Sequence, residues 1–533
     1  MAARVNSPAQ IPSGAPFIAS LQAQIAHFEV QVAGLQSSLK TTSESLKIVS
    51  VERDLLRERL RAFERTLFAA RSEARGTQQC DMFFNEAETL APLNEAPPKV
   101  RVPEHERAKR GRKPLDSALP REVVRYELPE AERVCPHDGA ALKEIGVEVS
   151  EQLDIIPAQV RVIRHERVKY ACPCPCCALG VRTAALPAKL LPKALLTEGA
   201  LAWVITAKYQ DALPLYRQAA ILGRCGGDIA RNTLAHNVVR VGVAVTPIIN
   251  LMRDHLLDAE LLHGDETEVQ VLKEAGRPAQ RKSYLWLQMS GCGPPVRLFT
   301  YNPSRSAKIA LDLYAGVRGA LMSDGYEAYG SVAAANVLTH LACWAHVRRR
   351  FVEAEAVLPK AARTAEQPAT QFIALIAALY ACEAQANALK ADIAERQRLR
   401  QAHSVPVLKQ IEALLLAHLH SVLPQSLLGR ALHYLHGQWP KLVRYVDDGR
   451  YPIDNNAAEN AIRPFVVGRK NWLFSDSVGG AQASANLYSL IETAKACGIE
   501  PYRYLRQLFQ ALPLAQSVDD YEALLPWNIK LAP

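Results

Sequence analysis

The chain has 533 residues, several times the usual size of one domain, so two to four folded units are expected; 49% apolar against 22% charged residues exclude global disorder. Lys and Arg outnumber Asp and Glu by 63 to 54, and the resulting +9 permits a polyanionic partner without requiring one. The opening residues lack the basic end and apolar stretch of a secretion signal, no run approaches the length of a membrane span, and crowding of Cys172, Cys174, Cys176 and Cys177 points to a metal site in a reducing cytoplasm rather than to disulfides.

From Leu21 to Leu67 two interleaved seven-residue series run without a break: Leu21, Phe28, Leu35, Thr42, Val49, Leu56, Phe63, and Ile25, Val32, Leu39, Leu46, Arg53, Leu60, Leu67. Alternating spacings of four and three put a narrow apolar seam on one helix, which another helix must cover. Residues 16–75 are therefore predicted to form a dimerising coiled coil, making the protein a homodimer or a higher homo-oligomer. Residues 76–120 carry prolines and a basic run without apolar periodicity, and read as a linker. Within it Arg110, Arg112 and Lys113 resemble arms that enter a narrow minor groove, although a solvated linker reads the same way.

Residues 121–182 alternate as a β hairpin does between Cys135 and the cysteine cluster, which suggests a zinc-ribbon-like module with a structural Zn²⁺. Cys135, then His137 or Asp138, and two of the later cysteines complete its ligand set; Cys172 and Cys177 are the preferred pair. Residues 190–250 read as a helical, helix-turn-helix-like DNA-binding region. Leu201, Val204 and Ile205 share a stripe, a helix runs from Leu215 to Leu222, a Gly-bearing turn spans 223–227, and a second helix starts near Asp228. Arg231, Asn232 and His236 would then read DNA, while packing alone accounts for the same layout.

After Glu260 the texture changes. Leu261–Thr267 looks like a strand ending in acids, followed by strands Tyr284–Met289 and Val296–Tyr301, a helix over Ser304–Tyr314, and a strand Gly319–Ser323 that delivers Asp324. This order resembles the ribonuclease-H-like fold, in which the first and fourth strands lie side by side. A helix capped by Asp454 or Asn455 would add Glu459, with Asn456, Asn460 and Arg463 on the same face. Three carboxylates suit two Mg²⁺ or Mn²⁺ ions about 3.5–4 Å apart, which would activate the attacking oxygen and stabilise the leaving one in phosphoryl transfer.

The predicted fold class is thus a multidomain α+β chain. Its ribonuclease-H-like catalytic core occupies 255–350 and 446–512, interrupted by a helical insertion at 351–445 and followed by a tail at 513–533. In the insertion, Phe372, Leu375, Ile376 and Leu379 form one stripe and Ile411, Leu414, Leu415 and Leu419 another; its histidines 403, 418, 420, 433 and 436 read as surface groups. Arg348, Arg349, Arg463, Arg469 and Lys470 are expected at DNA phosphates, with ion pairs to carboxylates as the alternative; His346 is expected in a structural role, with DNA or the metal shell as its alternative, and Trp472 in the core rather than stacked on an exposed base.

Several stretches together resemble the insertion sequence 66 family of DDE transposases: Gly264–Thr267, Ser323–Tyr326, Cys343-Trp344-Ala345-His346-Val347-Arg348-Arg349, Asp454-Asn455-Asn456 through Glu459, and Gly468–Trp472. The heptad region, the Gly-Arg-Lys-Pro linker and Glu148–Asp154 extend the resemblance over nearly the whole chain. It implies an insertion-sequence transposase that binds double-stranded element ends, cleaves them and joins 3′-hydroxyls to target DNA, acting in the bacterial cytoplasm at the nucleoid, with helper proteins of the same element as candidate partners. It also implies that Asp265, Asp324 and Glu459 are the catalytic metal ligands. His263 and Asp138 depart from the family's common residues. A catalytically silent DNA-binding derivative and a ribonuclease-H-like nuclease are the alternatives.

Overall fold

The computed structural model describes residues 15–68, 123, 159–171, 181–359 and 362–531. Cys135, His137, Asp138, Cys172, Cys177, Arg110, Arg112 and Lys113 lie outside the described residues. The chain is a mixed α+β protein that divides into two compact units, one of residues 92–186 and 216–231, the other of the remainder.

In the smaller unit, β1 (Lys169–Ala171) pairs antiparallel with β2 (Val181–Thr183). The pairing continues past the strands: Ala184 donates its amide to the Val168 carbonyl, and Arg167 Nε donates to the Ala184 carbonyl at 2.6 Å. Gly226, at φ +84°, lets the chain turn back so that Gly227 N–H reaches the Leu222 carbonyl.

In the larger unit, Ala15–Phe68 is one continuous helix. Its end meets the helical insertion, where Glu58 accepts the Leu427 amide at 2.6 Å. In the smaller unit, the second helix expected near Asp228 begins instead at Arg231, because the Gly226–Gly227 turn closes on Leu222 and leaves the next residues outside any helix. Arg231, Asn232 and His236 lie exposed on it.

The central sheet runs β5-β4-β3-β6-β7, formed by Arg297–Asn302, Lys282–Ser290, Leu261–Lys273, Ala320–Ser323 and Thr339–Ala342. The first three strands form an antiparallel meander, and β6 and β7 join parallel. One expectation fails here: β3 does not end at its acids but continues to Lys273. Val269 and Val271 keep burying alternate side chains, and beyond the acids the strand pairs with both β4 and β8 (Ser475–Ser477). The edge strand β5 is covered by the helix Val478–Ala496, whose buried Ser489 and Thr493 hydroxyls accept the Phe299 and Arg297 amides at 2.8 and 3.0 Å. An open edge is thereby converted into a paired one.

Between β7 and the late part of the sheet unit lies the helical insertion: Trp344–Ala356, Pro368–Ala388, Ile393–Leu399, a π-turn at Arg400–Ser404, Val405–Leu419 and Leu427–Leu442. Phe372, Ile376, Leu379, Ile411 and Leu415 form its core with Leu432 and Leu435, and Phe351 stacks on Phe372 at 4.3 Å. At the π-turn a buried Arg400 donates two bonds to Glu383 and two to the carbonyls of Tyr445 and Asp448. Among the described residues Pro368–Ala388 is long and apolar enough to cross a membrane, and the bent pair Arg231–Ala244 with Thr246–Leu257 passes the same test together. This corrects the expectation that no run approaches that length. Half of the apolar window is buried inside the protein, the condition of a core helix.

The entry to β6 depends on Gly319. Its φ is +85°, and a Cβ there would lie 2.2 Å from the Glu260 carbonyl oxygen, which accepts the Ala320 amide. Gly319→Ala is expected to destabilise the protein by at least about 2 kcal/mol, read as a lower denaturant midpoint; an unchanged midpoint would mean that the backbone here is free to move.

Candidate active site

The parallel register between β3 and β6 decides which acids meet. Leu261 pairs with Ala320, Leu262 with Leu321 and His263 with Met322. Two residues further along each strand come Asp265 and Asp324, so the same register carries both acids to adjacent positions, with strand axes about 4.8 Å apart. Asp265 lies in mid-strand, and Asp324 just past the end of β6. Gly264 is required beside Asp265 because a Cβ would lie 2.6 Å from both the Tyr314 hydroxyl and a Tyr329 ring carbon.

Local bonds fix the two carboxylates. Asp265 Oδ1 accepts the Glu266 amide at 2.8 Å, and Asp324 Oδ1 accepts the Tyr326 amide at 2.9 Å in a tight turn. Behind Asp324, Ser323 Oγ bonds His340 Nε2 at 2.9 Å. Burial first, then Lys441 and Arg444, holds His340 down at about 4, so the imidazole in this pair is neutral.

Glu459 arrives from the helix Asn456–Trp472 and is buried. His346 Nε2 stands 3.6 Å from its Oε1, and Arg349 Nη2 stands 3.9 Å from its Oε2. Enclosure first, then Arg349 and Arg350, lowers His346 to about 3. The cap expected from Asp454 or Asn455 takes a different form. Asp454 Oδ1 accepts the Asn456 amide at 3.1 Å, while the Asn455 side chain turns into the protein. There its Oδ1 meets His263 Nδ1 at 2.8 Å, its Nδ2 donates to the Gly264 carbonyl at 2.9 Å, and its backbone amide donates to Cys343 Sγ at 3.3 Å. One asparagine thus ties the start of the Glu459 helix to the strand carrying Asp265 and to the end of β7.

The acids are close enough to act on one another electrostatically. Burial first, then Glu266, Asp324 and Glu459, pushes the Asp265 carboxyl well above its ordinary range. Burial also raises Asp324, against the Tyr326 amide and Arg305. A fourth acid belongs to the group: Glu266, raised by burial and then by Asp324, is clamped by Arg305 at 2.5 and 2.8 Å and by the Tyr329 hydroxyl at 2.5 Å. Arg305 stacks over Tyr326 at 4.0 Å, and the Tyr326 hydroxyl donates to the Arg305 carbonyl. Carboxylates enclosed together with so few cations form a donor set that suits hard, oxygen-seeking divalent ions, and the residues present fit them.

The structure therefore brings Asp265, Asp324 and Glu459 together, with His346 and Arg349 beside them. Asn456 is buried and donates to Asp454, Arg469 donates to the Glu268 carbonyl, and Arg348 is half-buried. Arg463 is half-buried and Lys470 exposed. Trp472 packs edge-on to Tyr209 under Lys208. Sequence reasoning missed Arg305, which sits in a polar Ser-Arg-Ser stretch with no sign of its distant partner, and Tyr434, whose ring lies against Gly325. It also read Asn455 only as a helix cap.

Asn455→Ala would leave His263 Nδ1 and the Gly264 carbonyl buried without their partner. It is expected to cost roughly 2–4 kcal/mol, measured by chemical unfolding of the full chain, and a loss below about 0.5 kcal/mol would show that these bonds are replaceable.

Residues 193–483 match a family model described as Transposase IS66 family, and 489–527 match the IS66 C-terminal element. Residues 132–177 match the zinc-finger binding domain of transposase IS66, and 55–124 match a model described as Transposase C of IS166 homeodomain. Similar proteins occur in Sinorhizobium fredii. The uncharacterized protein y4qI is 31% identical over 96% of this chain and 94% of its own length, and the uncharacterized protein y4jD is 32% identical over 77% and 81% respectively.

Proposed function

The chain belongs to the IS66 transposase family, and from that premise we propose that it is a metal-dependent DNA transposase that cuts element ends and joins their 3′-hydroxyls to target DNA. The observation that carries this reading is the convergence of Asp265, Asp324 and Glu459, three acids from distant parts of the chain, in one enclosed cluster. A ribonuclease-H-like core is supported by the strand order, an antiparallel meander extended by two parallel strands, with two of the acids on the adjacent β3 and β6. The inserted helices then form a separate module within that core.

Asp265, Asp324 and Glu459 would hold two Mg²⁺ or Mn²⁺ ions. When bound, such ions stabilise negative charge on the attacking and leaving oxygens of an in-line displacement. Arg305 holds Glu266 against the same site and offsets part of the rise that burial imposes on it, and His346 and Arg349 flank Glu459. In the proposed sequence, attack by water frees a 3′-hydroxyl, and that hydroxyl then attacks a phosphodiester of the target strand. Arg231, Asn232, Arg463 and Lys470 are assigned to DNA phosphates or bases, joined by Arg110, Arg112 and Lys113 of the linker. A structural Zn²⁺ held by Cys135, His137, Cys172 and Cys177 falls within the matched zinc-finger range. The reaction would take place on DNA in the bacterial cytoplasm.

Asp265→Asn, Asp324→Asn and Glu459→Gln are each expected to lower Mg²⁺-dependent cleavage of element ends by at least about 1,000-fold while end binding in gel-shift assays persists. Near-native cleavage by any of them would remove that acid from the metal set.

The long N-terminal helix supports self-association. Ile25, Phe28, Val32, Leu35, Leu39, Leu46, Val49, Leu56 and Leu60 of the heptad series are 51–72% exposed in the single chain, a seam that a second copy would cover. Light scattering of the full protein is expected to give at least twice the chain mass, and the double variant Leu35→Lys, Leu39→Lys a lower oligomer. Equal masses for the two would rule out this seam as the interface.

A further inference from the structure

A second donor set of different chemistry stands beside the acids. Cys343 closes β7 and occupies the N-cap of the Trp344–Ala356 helix, His346 follows within the first turn, and Glu459 faces both from its own helix. One ligand atom from each, a sulfur, an imidazole nitrogen and a carboxylate oxygen, lies within 4.8 Å of the other two. We propose that Cys343, His346 and Glu459 form a binding site for one Zn²⁺ or a comparably soft divalent ion, distinct from the oxygen-only set of Asp265 and Asp324 but sharing Glu459 with it.

Three features of the site support this. Thiolate, imidazole and carboxylate together are a zinc-type donor set, whereas Mg²⁺ takes oxygen ligands. Bonds of about 2.0–2.3 Å in a tetrahedral site put ligand atoms roughly 3.3–3.8 Å apart, so the observed cluster closes on an ion by side-chain movement of about an ångström. His346 Nε2 and Glu459 Oε1 already stand 3.6 Å apart. The surroundings suit the bound form as well. The Asn455 amide donates to Cys343 Sγ at 3.3 Å, an interaction that strengthens once sulfur carries negative charge. Arg349 approaches Oε2 of Glu459, while Oε1 is the oxygen nearer His346. Binding forms a sulfur–metal bond as the Cys343 thiol releases its proton to solvent, with no change of oxidation state. Three protein ligands leave a fourth position open. On the reading above, an ion here would withdraw Glu459 from Asp265 and Asp324.

The test is an anaerobic Co²⁺ titration of the full-length chain, of Cys343→Ser, which keeps an acceptor for the Asn455 amide, and of His346→Ala. Cys292→Ser serves as a control for cysteine loss elsewhere. Wild type and the control should take up one more Co²⁺ per chain than Cys343→Ser, and the wild-type minus Cys343→Ser spectrum should contain a sulfur-to-cobalt absorption band. His346→Ala should weaken that extra site by on the order of 100-fold. The proposal is overturned if Cys343→Ser binds as many ions as wild type, if the difference spectrum lacks the sulfur band, or if His346→Ala leaves the affinity unchanged.

Discussion

Like charges enclosed together resist one another, and this chain folds four carboxyl groups, Asp265, Glu266, Asp324 and Glu459, into one neighbourhood where water screens them poorly. Most of the surrounding structure can be understood as what holds them there. Arg305 and Tyr329 clamp Glu266, the Tyr326 amide holds Asp324, and the Glu266 amide holds Asp265. Glu459, the acid from furthest along the chain, is secured indirectly. Its helix is tied at Asn455 to both β3 and Cys343, so its position follows from buried bonds made several residues earlier.

The helical insertion takes part in the same restraint. Tyr380, on the long helix Pro368–Ala388, donates to Asp454 at 2.8 Å, and Asp454 in turn holds the first turn of the Glu459 helix. Trp344 donates its indole N–H to the Leu442 carbonyl and its backbone amide to the Ile453 carbonyl, joining the end of β7, the insertion and the approach to Asn455. Tyr434, from the last long helix of the insertion, packs against Gly325 next to Asp324 under the Arg350 guanidinium. The insertion therefore forms one side of the acid cluster, and disturbing its core should reach the site through Tyr380 and Tyr434.

Much of this organisation was legible in the residues. The heptad series marked the long helix because a period of three and four survives whatever the partner is. The strand meander and the helices of the insertion followed from burial periodicity, with Phe372, Ile376 and Ile411 falling in the core as their spacing required. Boundaries were less secure. The acids of β3 looked like a strand end because local propensity falls at Asp265 and Glu266. The strand runs on because its flanks pair on both sides, and that pairing involves residues far away in the chain.

The periodic elements, the order of the acids along the chain and the family they belong to could be read from the residues alone, since each is carried by short-range pattern or by motif. That Glu266 and Arg305 join the cluster, that Asn455 faces inward, and that Cys343 stands beside Glu459 emerged from the folded chain alone. These are meetings between residues tens to nearly two hundred positions apart. No local rule encodes them, because they depend on strand register and on which helix covers which face, and both are settled by the packing of the whole unit.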